Sequence, residues 1–371
     1  MKTKLLGALL LVVTAVGCGN LNDNLGTAIY VRYTPDGRLV VFGGDRVDVY
    51  SPDLSTLEAR IPAPAPSTAT WPYTDVFSLS DDGNVAVVVH PNQTHNHAEL
   101  YSLTTFQKTL VDLGPLPDAS QPNLMYDDQP DDVALSPQGD LLFVMGGLHS
   151  TTSLMQMFDT STGQNLWTTD WEITPVFSPD GSRMYAIGGA WDSSSLQGFD
   201  ARTGAVTLDA TTASWLGRIG MMADPSTVVA LTTAVSELSC GSTISPCSPQ
   251  ITSYSTVDGS ATAQLALQAN TIASETVFRC SSAAGLCAVG VAVYDPVSSY
   301  GPIGWEVQVW SMAGTFLQSV ETAFNDVSIS PDGQFLAVAQ GSKLNNGDAV
   351  VYRISDGSLV RTLHYGGSGP L

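Results

Sequence analysis

Two groups of side chains in this sequence have the types and spacing for metal chemistry. His90, His95 and His97 lie close together with Glu99. In an extended chain a His-x-His pair presents both imidazoles on one face, and neutral imidazole is a good metal ligand. Asp127, Asp128, Asp131 and Asp132 offer hard oxygen ligands of the kind calcium takes. The aspartates lack EF-hand or nonapeptide spacing, and the histidines fall in a polar stretch that reads as a solvated loop. No metal and no cofactor are assigned, and the histidines stand only as candidates. Catalytic motifs are equally thin. The chain has no Gly-x-Ser-x-Gly elbow, no His-Glu-x-x-His helix and no phosphate loop.

Five cysteines offer a different chemistry. Cys18 stands apart near the start. Cys240, Cys247, Cys280 and Cys287 allow three connectivities, and their spacing favours Cys240–Cys247 with Cys280–Cys287. The second pair would staple a hairpin around 281–286, and the first would tie down an insertion. A four-cysteine zinc site is the alternative, but tight Cys-x-x-Cys pairs are missing.

The elements that must position these groups are hairpins. Ser330-Pro331-Asp332-Gly333 sits between the apolar runs Val327-Ser328-Ile329 and Phe335-Leu336-Ala337-Val338. Pro331 presets a β-turn, Asp332 can cap it, and Gly333 accepts a positive φ. Close copies are Thr34-Pro35-Asp36-Gly37, Ser136-Pro137-Gln138-Gly139 and Ser178-Pro179-Asp180-Gly181, with Ser80-Asp81-Asp82-Gly83 looser. Ala223-Asp224-Pro225-Ser226 and Ser282-Ala283-Ala284-Gly285 are degenerate. The seven copies recur about every 49 residues, within the range of propeller blades. A second marker alternates with the first. It is an aromatic strand end leading into a polar turn, as in Phe158-Asp159-Thr160-Ser161-Thr162-Gly163 and Tyr352-Arg353-Ile354-Ser355-Asp356-Gly357. Each unit therefore predicts four antiparallel strands. The fold expected is all-β, a seven-bladed propeller over 27–365, with a Gly- and Ser-rich tail at 366–371. How the ring closes is left open.

Composition fits that reading. The 371 residues carry 14 Lys+Arg against 35 Asp+Glu, a net charge of −21. A basic nucleic-acid footprint and a polybasic membrane patch are both absent. The carboxylates are dispersed, which suits a soluble, monomeric surface.

The first 17 residues read as a leader: Lys2 and Lys4, the apolar run Leu5–Val16, then small residues. The run is too short to span a bilayer as a helix. Ala15-Val16-Gly17-Cys18 resembles the lipobox of bacterial lipoproteins. That resemblance implies cleavage before Cys18, lipids on its thiol and amine, and a short tether over 18–26. Gly19 resembles outer-membrane sorting. The expected location is the bacterial cell envelope, anchored through lipid, on the periplasmic or surface face of the outer membrane.

Topology sorts the loops. The turns between first and second, and between third and fourth, strands share one rim, and the remaining loops share the other. Irregular length concentrates in the second set: His90–His97, Gly114–Pro130, Gly147–Ser153, Gly189–Ser195, Ser236–Pro249 and Tyr294–Trp305. Long loops on a rigid scaffold carry binding. Aromatics read as lying outside strands gather there too, so the expected binding face is Trp71, Tyr126, Asp128, Trp171, Trp191, Trp215, Tyr300 and Trp305.

With seven units and Ser-Pro-Asp-Gly turns, the chain resembles the WD-repeat-like and Tyr-Val-Thr-Asn-type bacterial propellers. Gly-His and Trp-Asp signatures are missing at the strand ends, and Trp191-Asp192 falls in a loop. Thr162-Gly163-Gln164-Asn165-Leu166-Trp167 resembles one repeat of pyrroloquinoline-quinone propellers. Only one unit shows it and those usually have eight blades, so no quinone is assigned. The function expected is non-enzymatic: a scaffold that binds a protein or polysaccharide partner. The alternative is an exported propeller enzyme of hydrolase, lactonase or lyase type, with its site at the channel mouth.

Overall fold

Leu39-Val40-Val41-Phe42 is an unbroken apolar run, and all four side chains are buried. Such a run is what a strand covered on both faces requires. Leu39 and Val41 pack on one side against Ala337, Ala339 and Val351. Val40 and Phe42 pack on the other against Phe77, Ala86 and Val88. One strand thus belongs to two seams, which is the packing of a blade between two neighbours.

The computed structural model describes residues 28–43, 46–62, 76–91, 95–115, 130–148, 152–170, 175–188, 194–212, 214–222, 224–234, 250–267, 271–293, 303–341 and 347–365. They form seven four-stranded antiparallel sheets, each from four consecutive strands, with no helix among them. Apolar clusters fill the seam between every pair of neighbouring blades, including the last and the first. The first strand of each blade is innermost. Tyr30–Tyr33 lies against Asp326–Ile329, Thr271–Ser281 touches both Asp326–Ile329 and Ser214–Met221, and Val76–Leu79 lies against Pro130–Leu135.

The marked turns are built as their residues suggest. Gly333 N–H donates to Ser330 O at 2.9 Å, with Gly333 at φ 70°. Ser330 Oγ donates to Asp332 Oδ1 at 2.6 Å and accepts from Phe335 N–H at 2.9 Å, while Gln334 N–H donates to Asp332 Oδ1 at 3.0 Å. Ser80 with Asp82, and Ser178 with Asp180, repeat the arrangement. The two degenerate turns start one residue earlier than their sequence suggested. Met222 N–H bonds Thr227 O, and Gly285 N–H bonds Ser281 O.

Closure uses no shared strand. Ala28 N–H donates to Gly347 O and Gly341 N–H to Ala28 O, at 2.9 and 3.0 Å. On the inner edge, Val31 N–H donates to Asp326 Oδ2 at 3.1 Å and Tyr33 N–H to Ser328 Oγ at 2.9 Å. Side chains of blade 7 thereby satisfy an edge strand of blade 1 that has no pairing partner on that side.

Three loop assignments change. The second strand of blade 2 runs to Pro91 and the third begins at His95, so His90, His95 and His97 lie in strands and not in a long loop. Likewise Leu141–Leu148 and Thr152–Asp159 leave only a short connection in blade 3. Trp215 and Trp305 belong to strands Ser214–Met221 and Gly304–Ser311. In each case backbone pairing extends into polar residues whose sequence reads as loop.

Candidate binding site in the central channel

The innermost strands supply the site. Counted back from the first residue of each turn, the odd positions are apolar and fill the seams: Val31 and Tyr33, Phe77 and Leu79, Val327 and Ile329. The even positions are mixed: Val76, Ala134, Val176, Gly220 and Val277 stand there, but so do the polar and charged groups of the channel. Arg32 and Tyr30 precede Thr34, Asp132 precedes Ser136, Arg218 precedes Met222, Arg279 precedes Ser281, and Ser328 and Asp326 precede Ser330. Period-two alternation sends these side chains to one face of each inner strand, where they meet around the axis.

A cavity of about 300 Å³ occupies the channel. Its walls include Arg32, Ser78, Asp132, Arg279 and Ser328, and it reaches the marked turns at Pro35, Asp81 and Pro331. The cavity therefore lies toward the rim of short turns, opposite the loops singled out from sequence.

Two ion-pair groups stand at its inner end, with Arg32, Arg279 and Asp132 on the cavity wall. Arg32 Nη1 donates to Asp326 Oδ2 and to Val31 O. Arg279 Nε stands 3.5 Å from Asp326 Oδ1. Across the axis, Arg218 of blade 5 pairs with Asp132 of blade 3, skipping blade 4. Three guanidiniums meet two carboxylates here, a local excess of positive charge in a chain of net charge −21. Asp326 is 2% exposed and Arg279 30%, so the carboxylate is sealed while one guanidinium faces the cavity. Burial pulls the Arg32 guanidinium below its ordinary value and Arg279 adds to this, while Asp326 opposes both. Burial, with Asp326 and Asp132 adding to it, holds the Tyr30 phenol well above its usual value. Tyr30 itself stacks on Phe42 and Phe77.

Several polar groups on the wall are committed to the fold. Ser78 Oγ accepts from Leu135 N–H of the next blade at 3.2 Å, as Ser328 does from Tyr33. Cys280, beside Arg279, is joined to Cys287 by a disulfide with Cα atoms 4.0 Å apart. The two cysteines are direct cross-strand partners, so the hairpin staple expected from spacing is present. It locks the strand that carries Arg279.

The other residues named from sequence are not brought to this cavity. Cys18, Cys240, Cys247, Trp71, Tyr126, Asp128, Trp171, Trp191 and Tyr300 lie outside the described residues. Trp215 pairs in register with Thr233. Trp305 is 48% exposed and meets Phe324 edge-on. His90 pairs in register with His97, and His97 with Asp112 in the next strand. Glu99 is withdrawn from any such site: it is buried, bonded to Tyr101 and paired with Lys108 at 3.0 Å. Among the described residues no cluster of three or more His, Cys, Asp or Glu could hold a metal ion.

Arg32, Arg218, Arg279 and Asp326 escaped the sequence reading. A partial signal existed. Arg32 and Asp326 stand two and four places before intact turns, but Arg218 and Arg279 precede the two degenerate turns, whose start the sequence misplaces by one residue, so aligning the turns would not have stacked all four.

Comparison with known proteins gives fold and no family. No family model matches the chain, and no curated protein matches it. Solved structures match over nearly the whole length. A Kuenenia stuttgartiensis hydrazine synthase chain aligns with TM-score 0.61 at 14% identity, over 91% of this chain and 98% of that one. The β-propeller domain of the Trilobed protease from Pyrococcus furiosus, described as having an open velcro topology, aligns with TM-score 0.58 at 7% identity, over 93% and 100%. A chain of a mitotic checkpoint complex aligns with TM-score 0.57 at 13% identity, over 91% and 88%. Identities this low carry the propeller architecture and nothing of what those proteins do.

Proposed function

We propose that this chain is a non-enzymatic binding propeller of the bacterial cell envelope, anchored through lipid on Cys18, that holds a protein or polysaccharide partner. One observation carries the preference for binding over catalysis. The described polar groups at the channel's inner end are guanidiniums and carboxylates in ion pairs, and hydroxyls that hold the next blade, while Asp81, at the turn rim of the same cavity, is a carboxylate pushed up to about 6 by burial and by Asp82. A guanidinium does not exchange protons at physiological pH, and a hydroxyl spent on the backbone has no adjacent base. Such a wall recognises and orients a ligand. The leader, the lipobox-like Cys18 and the cysteine pairing of an oxidising compartment support the envelope location.

The test is capture. The full chain, immobilised, is exposed to detergent extracts of envelopes. The proposal expects a saturable partner; unchanged capture by a Trp191→Ala/Trp215→Ala variant excludes the long-loop rim as the contact. Separate growth with labelled palmitate should label the wild type and not Cys18→Ser. Turnover of an ester, lactone or glycoside substrate by the purified chain would replace this reading with the enzymatic one.

A further inference from the structure

We infer that the inner end of the channel cavity is a carboxylate-binding site, in which Arg279, with Arg32 beside it, receives the acid group of a ligand entering from the rim of short turns. This rests on the binding role proposed above and gives it a ligand chemistry.

The physical case is a local imbalance of charge: at the inner end Arg32, Arg279 and Arg218 face Asp326 and Asp132, while Asp81 stands at the turn rim of the same cavity. Asp326 is the shared counter-ion of two guanidiniums. Its Oδ2 already accepts from Val31 N–H and from Arg32, and its Oδ1 is 3.5 Å from Arg279 Nε, too far for a good hydrogen bond. Arg279 Nε is buried and has no hydrogen-bond partner. A guanidinium carries five N–H donors in a planar fork that matches a carboxylate two at a time. Leaving a charged donor unsatisfied is costly, and a second carboxylate on Arg279, whose side chain is 30% exposed, would add a charge-assisted bond stronger than a neutral acceptor gives. The position is also steered. Elsewhere the acidic surface repels anions, whereas a positive recess with low-dielectric walls concentrates them.

Shape and nearby charge narrow the class. A cavity of about 300 Å³ takes a small acid or the end of a larger molecule. Asp81 and Asp132 border the same space and disfavour a doubly charged phosphate. The ligand is therefore a monocarboxylate, either a free acid or the acid group of a sugar.

Acetate, lactate and glucuronate are the probes, with inorganic phosphate as the contrasting anion. Each is titrated calorimetrically into the full-length chain. Wild type should bind at least one carboxylate saturably, and phosphate more weakly. Lactate or acetate as the best ligand points to a free acid, and glucuronate to an acidic sugar; either supports the site. Arg279→Gln should weaken binding about tenfold or more, in line with loss of a charge-assisted pair. Arg202→Gln, on the surface, should leave it unchanged. Should Arg279→Gln not fold, Arg279→Lys keeps the charge, loses the fork and should still bind several-fold more weakly. No saturable carboxylate binding by wild type overturns the inference, as does tighter phosphate binding or wild-type affinity in a folded Arg279 variant. Capture of a partner by the same protein would then leave the broader binding role standing.

Discussion

The hydroxyl of Tyr365 donates a 2.9 Å hydrogen bond to Oδ2 of Asp48, tying the end of blade 7 to the third strand of blade 1. Both side chains are fully buried. Asp48 is also held by Arg46 at 3.2 Å and Arg60 at 2.9 Å, Tyr50 OH lies 3.0 Å from Tyr365 OH, and the Arg46 guanidinium sits over the Tyr365 ring. Burial, with Asp48 and Tyr50 adding to it, pushes the Tyr365 phenol well above its ordinary value, so it stays a donor. A latch of side chains thus does what a shared strand would do. Tyr365→Phe keeps the ring and deletes only the donor to a buried carboxylate. It should cost about 1–3 kcal/mol by urea unfolding. With Asp48→Asn the two losses should be markedly less than additive. Additive losses would mean that the latch does not couple the blades.

The disulfide in blade 6 makes a second case. Cys280 and Cys287 close a short loop, and the entropy model gives such a loop about 2–3 kcal/mol. The Cys280→Ser/Cys287→Ser variant should lose roughly that much, and reductant should lower the melting temperature of wild type but not of the variant. Equal sensitivity of both proteins to reductant would refute this.

Acid should unfold the ring through its turns. Hydrogen bonds from Ser178, Thr203, Ser260 and Ser358 hold Asp180, Asp200, Asp258 and Asp356 below their ordinary values, each helped by backbone N–H groups. Ser51 and Ser55 bring Asp53 down to about 2. A carboxylate whose pKa is depressed on folding stabilises above its unfolded value, and that contribution disappears as pH falls through the folded value. Asp81, pushed up to about 6, contributes in the opposite sense as pH falls through that value, and the melting temperature should then fall between about pH 4 and 2. Asp180→Asn/Asp356→Asn should be less stable at neutral pH and less steep in acid. A level profile through that window would count against the turns as the acid-sensitive points.

The turns also interlock around the rim. Gly83 has φ 71°, and a Cβ there would lie 2.7 Å from Pro35 Cδ and 2.9 Å from Thr34 Cβ of the neighbouring blade. Gly83→Ala should cost about 1–3 kcal/mol, from left-handed strain together with the clash. A change near zero would show that the rim gives way freely.

The blades were legible in the sequence because each hairpin writes its own local signature. The Ser330 hydroxyl and the Asp332 carboxylate hold their turn closed, and Gly333 takes a positive φ. Two turns show where a signature can fade without loss of structure. Leu54 and Phe106 adopt φ of 60° and 56° where other blades use glycine. The channel was not legible, because its chemistry is assembled from residues far apart in the chain. Arg32 and Asp326 are separated by 294 positions, and neither stands in a motif. Only the ring brings them together. Loop lengths around His90–His97 were overread because pairing with a neighbouring strand draws polar residues into the sheet. Closure by Tyr365 could not be read at all, since one tyrosine near a terminus has no periodic partner.

A propeller that acts as the binder proposed here leaves its partner unchanged. The direct measurement is the fate of that partner. Material captured from envelope extracts by the full chain is eluted after prolonged incubation, weighed against input, and compared with it by mass spectrometry. Stoichiometric recovery of an intact partner is the predicted result. Progressive release of a cleaved or otherwise altered product, faster with more propeller present, would contradict it.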